Sequence, residues 1–98
     1  MYKVIVPTGV RKRIQKYGQY IIDHIGFQET AENLMERIFE AIYSLDNNPG
    51  RGAPRRVGRY ANKGYRQLFV GNYIIVYRID EANKRVYITT VRHMLENF

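Results

Sequence analysis

The chain has 98 residues, 45% of them hydrophobic, which suits one small domain over residues 1–98 with a single modest core. It has no cysteine, so neither a disulfide framework nor a thiolate metal site is on offer. No apolar run approaches the roughly 20 residues of a membrane span. Sixteen Lys and Arg against nine acids give a net charge of +7, which favours a polyanionic partner such as nucleic acid or an acidic protein. A cytoplasmic protein with no membrane attachment is the simplest expectation.

The opening residues, Met1 to Val6, read as a strand rather than a signal peptide, and Pro7 breaks it. Thr8 is placed to cap a helix. Val10, Ile14, Tyr17, Ile21 and Ile25 then recur at helical spacing and form one core-facing stripe. Gly18 weakens that helix and Gly26 ends it. A second helix is predicted from about Glu29 to Leu45, with Ala31, Leu34, Met35, Ile38, Ile42 and Leu45 on its apolar face. Asp46-Asn47-Asn48-Pro49-Gly50 stops it. The short link between the helices predicts an antiparallel hairpin.

From Arg51 to Gly64 no period is visible, and Gly, Pro and Arg dominate. This reads as a basic loop, with Arg55, Arg56, Arg59 and Lys63 as candidate contacts to nucleic acid or to an acidic partner. After it, two β-rich runs flank Gly71-Asn72, and a third runs from Arg85 to Val91 and ends in Arg92-His93. A two-residue turn at Gly71-Asn72 sets Arg66 opposite Tyr77, Leu68 opposite Ile75 and Val70 opposite Tyr73. A five-residue connection at Asp80–Lys84 sets Tyr77 opposite Tyr87 and Tyr73 opposite Val91. Both faces of this meander are substantially apolar, so the pattern leaves open which one covers the helices. The expected class is α+β: β-α-α-β-β-β, a helical hairpin packed on a mainly antiparallel sheet.

The chemistry on offer is narrow. His24 and His93 sit in different elements and no acidic cluster has ligand spacing, so neither a metal nor another cofactor is expected. Arg, Lys, Tyr and His side chains remain. A metal-free ribonuclease can work with these, since it needs a base for the 2′-OH, an acid for the leaving 5′-oxygen and cations for the phosphorane. His93 is the candidate acid or base, with Arg66, Arg92 and Arg78 as candidate phosphate contacts.

Several segments in order carry a resemblance: the opening strand, Ile21-Ile22, Ala31, Leu45 through Pro49, Gly64-Tyr65-Arg66, Asn72 through Ile79, and Val91-Arg92-His93. Over nearly its whole length the chain resembles the RelE/ParE superfamily of bacterial type II toxin–antitoxin toxins. The resemblance implies a small toxin held inactive by a cognate acidic antitoxin, with either DNA gyrase or the ribosome and its mRNA as the target. RelE-like members are ribosome-dependent mRNA endonucleases; ParE-like members poison gyrase and are not enzymes. For a nuclease, the resemblance makes Arg66, Arg92 and His93 the catalytic residues. Here Leu68 stands where the nucleases keep a second basic residue, Ile74 where they keep an arginine, and Phe98 lacks a hydroxyl. The expected register also sets Arg66 and His93 about six residues, or roughly 20 Å, apart along the sheet. The reading is therefore a ParE-like toxin acting by binding. A RelE-like nuclease is the alternative, and a non-toxic basic nucleic-acid-binding module a further one.

Overall fold

The computed structural model of the protein describes residues 1–98 and has seven regular elements. Strand β1 (Lys3–Ile5) leads into helix α1 (Thr8–Ile25), and helix α2 (Gln28–Tyr43) returns against it. Two 3-10 turns, Ser44–Asp46 and Pro49–Arg51, then deliver the chain to β2 (Ala53–Pro54). Strands β3 (Arg66–Val70), β4 (Tyr73–Asp80) and β5 (Arg85–His93) complete the expected α+β fold, a helical hairpin on a mostly antiparallel sheet.

The sheet order is β1-β5-β4-β3-β2, with β1 parallel to β5 and every other pair antiparallel. The helical hairpin is the crossover that returns the chain from β1 to the sheet. Within the segment expected to be an irregular loop, Ala53 and Pro54 pair with Gln67 and Arg66 as a short edge strand.

Helix α1 starts differently from expectation. Thr8 is its first helical residue, Pro7 occupies the cap, and no side chain caps the end. The Pro7 carbonyl instead accepts from the N–H groups of Val10 and Arg11. Gly26 closes the helix in the left-handed region at φ +83°, its N–H on the Ile21 and Ile22 carbonyls. Gly18 serves the packing of the hairpin as well, because a Cβ there would lie 2.7 Å from Met35 Sδ on α2.

The Gly71-Asn72 turn gives the expected β3–β4 register, with Gly71 at φ +56°. The β4–β5 register differs from expectation. Tyr73 pairs with His93 and Ile75 with Val91, whereas Tyr77 pairs with Ile88 and Arg78 with Tyr87. The turn holds only Glu81 to Lys84, with Lys84 at φ +53°, and Thr89 is left unpaired in a bulge. The bulge switches which β5 residues face the helices. Val86 and Ile88 before it join Val91 after it in one core with Ile14, Ile38, Ile42, Leu45, Ile75 and Tyr77. The opposite face is not bare: Ile74, Val76 and Thr90 are buried there as well, and so is Arg55.

Candidate functional site

Between the helical hairpin and the β3–β4 turn lies a cleft of about 840 Å³. Tyr17, Tyr20 and Ile21 of α1 line one side, and Asn33, Leu34 and Arg37 of α2 another. Tyr73, His93, Leu95 and Glu96 close its sheet end. Helical spacing brings Tyr17 under this end of the sheet, and cross-strand pairing sets Tyr73 beside His93. The three rings form an edge-to-face series: Tyr17 to Tyr73 at 4.9 Å and Tyr73 to His93 at 5.0 Å between centroids.

Glu96 organises the polar part. Its carboxylate accepts from the Tyr17 hydroxyl at 2.5 Å, from the His93 N–H at 3.3 Å and from the Arg92 guanidinium at 3.4 Å. Arg13 of α1 approaches the same carboxylate at 3.9 Å. Burial alone would raise the Glu96 carboxyl; the hydrogen bonds from Tyr17, His93 and Arg92 outweigh it and hold the group below its usual range. Burial, reinforced by the adjacent Glu96 charge, raises both the Tyr17 and Tyr73 hydroxyls. The Leu95 N–H donates to His93 Nδ1 at 3.1 Å, so the neutral ring carries its proton on Nε2. Arg37 reaches the cleft from α2 and belongs to no ion pair.

Of the candidate nuclease residues, the neighbours Arg92 and His93 both bond Glu96, His93 through its backbone N–H, and Arg66 lies elsewhere. Arg66 pairs with Tyr77 while His93 pairs with Tyr73. Four residues along and two strands across amount to roughly 16 Å. This is closer than the six-residue separation expected from sequence, and still a separate place. The Arg66 guanidinium donates to the carbonyls of Gly50 and Gly52 and so ties the turn after α2 to β3. Its Nε is buried without a partner.

The basic loop divides in two. Arg56, Arg59 and Lys63 are exposed. Arg55 is only 6% exposed, with Nε donating to the Val57 carbonyl and Nη1 to Gln67 Oε1, each at 2.9 Å. Its guanidinium lies over the Phe98 ring at 4.4 Å. Arg78 is exposed on the outer sheet face, stacked on Tyr87 at 4.4 Å. Sequence reasoning missed Tyr17, Tyr73 and Glu96. Tyr17 sits on an apolar helical stripe and reads as core, and an acid beyond the last strand carries no periodic signal.

No three His, Asp or Glu side chains converge to hold a metal ion, and no helix is long and apolar enough to cross a membrane. Fold and cleft together define a small basic α+β domain whose polar cluster is already neutralised from within. The chain matches the family described as "ParE toxin of type II toxin-antitoxin system, parDE" over residues 4–98, and it belongs to that family, within the RelE/ParE superfamily of type II toxins. No individual curated protein sequence matches it. Among solved structures it is similar to a chain of the chromosomal ParDE system from P. aeruginosa, with TM-score 0.76, 18% identity, and 95% of this chain and 96% of that one covered. It is also similar to a chain of the RelBE2 toxin–antitoxin complex from Mycobacterium tuberculosis, with TM-score 0.66, 26% identity, and coverage of 94% and 96%. A third similar structure is the YoeB/ParE toxin from Agrobacterium tumefaciens, with TM-score 0.62, 18% identity, and coverage of 93% and 96%.

Proposed function

We propose that this toxin is ParE-like: it arrests growth by binding DNA gyrase and catalyses no reaction. The observation that carries this reading is the place of Glu96. A carboxylate sits among Arg92, Arg13, Tyr17 and the His93 N–H, where a nuclease would need those donors free for a scissile phosphate. A phosphate entering there would meet a fixed negative charge. Arg66 is engaged by backbone carbonyls at a distance, so it does not complete the constellation.

The partner in the cell is an acidic antitoxin. Arg37 in the cleft and the exposed Arg56, Arg59 and Lys63 offer it cations without internal counter-charges. A segment disordered when free and folding on the toxin would bury the apolar cleft wall of Tyr20, Ile25 and Leu34.

The alternative, a ribosome-dependent mRNA endonuclease using Arg92 and His93, is tested by adding purified protein to a reconstituted translation reaction. Primer extension maps the mRNA 5′ ends. Intact mRNA is the expected result; cuts that appear within the reading frame only when ribosomes are present overturn the proposal.

A further inference from the structure

The last three residues touch two parts of the molecule, both of which Arg92 also reaches. Glu96 belongs to the cleft, bonded to Tyr17, His93 and Arg92. Two residues later, Phe98 belongs to the basic loop on the opposite face of the sheet. Its ring lies under the Arg55 guanidinium at 4.4 Å, with Arg92 farther off at 5.8 Å. Its carbonyl accepts the Arg59 N–H at 3.0 Å. Gly58, at φ +74°, leaves no room for a Cβ against that carbonyl, so loop and tail fit backbone to backbone.

Beyond this clasp the loop holds itself by few bonds. Arg55 pairs with Tyr65, Ala61 with Gly58 and Asn62 with Arg55 through the backbone, and Asn62 takes φ +56°. Only two short edge-strand pairs anchor its start. Arg56, Arg59 and Lys63 are exposed on it. Their presentation therefore depends on Phe98, and Phe98 is positioned by a chain that Glu96 pins two residues earlier.

We propose that Glu96-Asn97-Phe98 is a two-ended latch that couples the cleft to the basic loop. In the latched state Glu96 is held by Tyr17, His93 and Arg92, and Phe98 clasps Arg55, Gly58 and Arg59. In the unlatched state Glu96 leaves those donors, Phe98 loses its seat, and the loop opens. A partner that draws Glu96 away with a cation of its own selects the unlatched state; one that leaves Glu96 in place preserves the presented cations. The coupling is a free-energy difference between two arrangements of the same three residues, so it acts in both directions.

The test is amide hydrogen exchange followed by NMR on the full chain and on two variants. Phe98→Ala removes the loop end of the latch. It is expected to speed exchange at Arg55, Arg59, Ala61 and Asn62 by roughly five- to thirtyfold, the worth of a partly desolvated cation–aromatic contact. Glu96→Gln alters only the cleft end, in a conservative way, and touches no loop residue. It is expected to speed the same four amides by about fivefold or more while β4 and β5 remain protected. Unchanged loop exchange in Glu96→Gln overturns the coupling, even where Phe98→Ala loosens the loop. Uniformly faster exchange across β4 and β5 in Glu96→Gln also overturns it, because the effect would then be global.

Discussion

The Tyr17 hydroxyl lies 2.5 Å from Glu96 Oε1, joining the first helix to the residues that follow the last strand. The same carboxylate accepts from the His93 N–H and from Arg92, so one acid gathers donors from α1, β5 and the tail. Among the polar contacts of the cleft it is the one with the most partners.

The folded Glu96 carboxyl lies below its reference value of 4.5, so its contribution to stability is fully present above that pH. It is lost as pH falls through the folded value. The stability difference between the parent chain and Glu96→Gln is therefore expected to be constant near neutrality and to shrink below about pH 4. Urea unfolding at a series of pH values measures this. The group is partly exposed, and the neutral-pH difference is expected at about 1 kcal/mol.

Tyr77 is fully buried, and its hydroxyl donates to the Pro49 carbonyl at 2.6 Å while accepting the Gly52 N–H at 3.1 Å. It ties the segment after α2 to the centre of the sheet. Tyr77→Phe keeps the ring and leaves both backbone groups without their partner. The expected loss is about 2 kcal/mol, read as a lower denaturation midpoint with an unchanged denaturant slope.

Arg55 and Arg56 are neighbours with opposite fates, one buried and one exposed. Arg55→Ala removes two hydrogen bonds and the contact with Phe98, for an expected cost of about 2–3 kcal/mol. Arg56→Ala is expected to fall within about 0.5 kcal/mol of the parent chain. Thermal unfolding of the two variants side by side distinguishes a structural arginine from a surface one.

Much of this fold is legible in sequence where local chemistry decides it. Gly71-Asn72 fixes the β3–β4 register because a two-residue turn admits one pairing, and the stripes from Val10 and Ala31 find their helices, although Ile25, expected on the first stripe, is exposed. Legibility fails where a single residue changes the count. The shorter turn moves Tyr77 from the expected Tyr87 to Ile88, and the unpaired Thr89 adds one more residue, so that Tyr73 meets His93 in place of Val91. The parallel seat of β1 beside β5 is set by the crossover of the whole hairpin, which no local pattern encodes. At the site, Arg92 and His93 are strand neighbours linked through Glu96, which bonds the guanidinium of one and the N–H of the other, whereas the burial of Arg55 depends on Gln67 and Phe98, distant in sequence. Glu96 acquires its role only once α1 and β5 are packed.

Gyrase binding is tested most directly by a supercoiling reaction with purified DNA gyrase and relaxed plasmid, titrated with this protein. Supercoiling is expected to be lost as the protein is added, with His93→Ala inhibiting as well as the parent chain. Supercoiling that continues unchanged at high molar excess of protein shown to arrest growth in cells would contradict it.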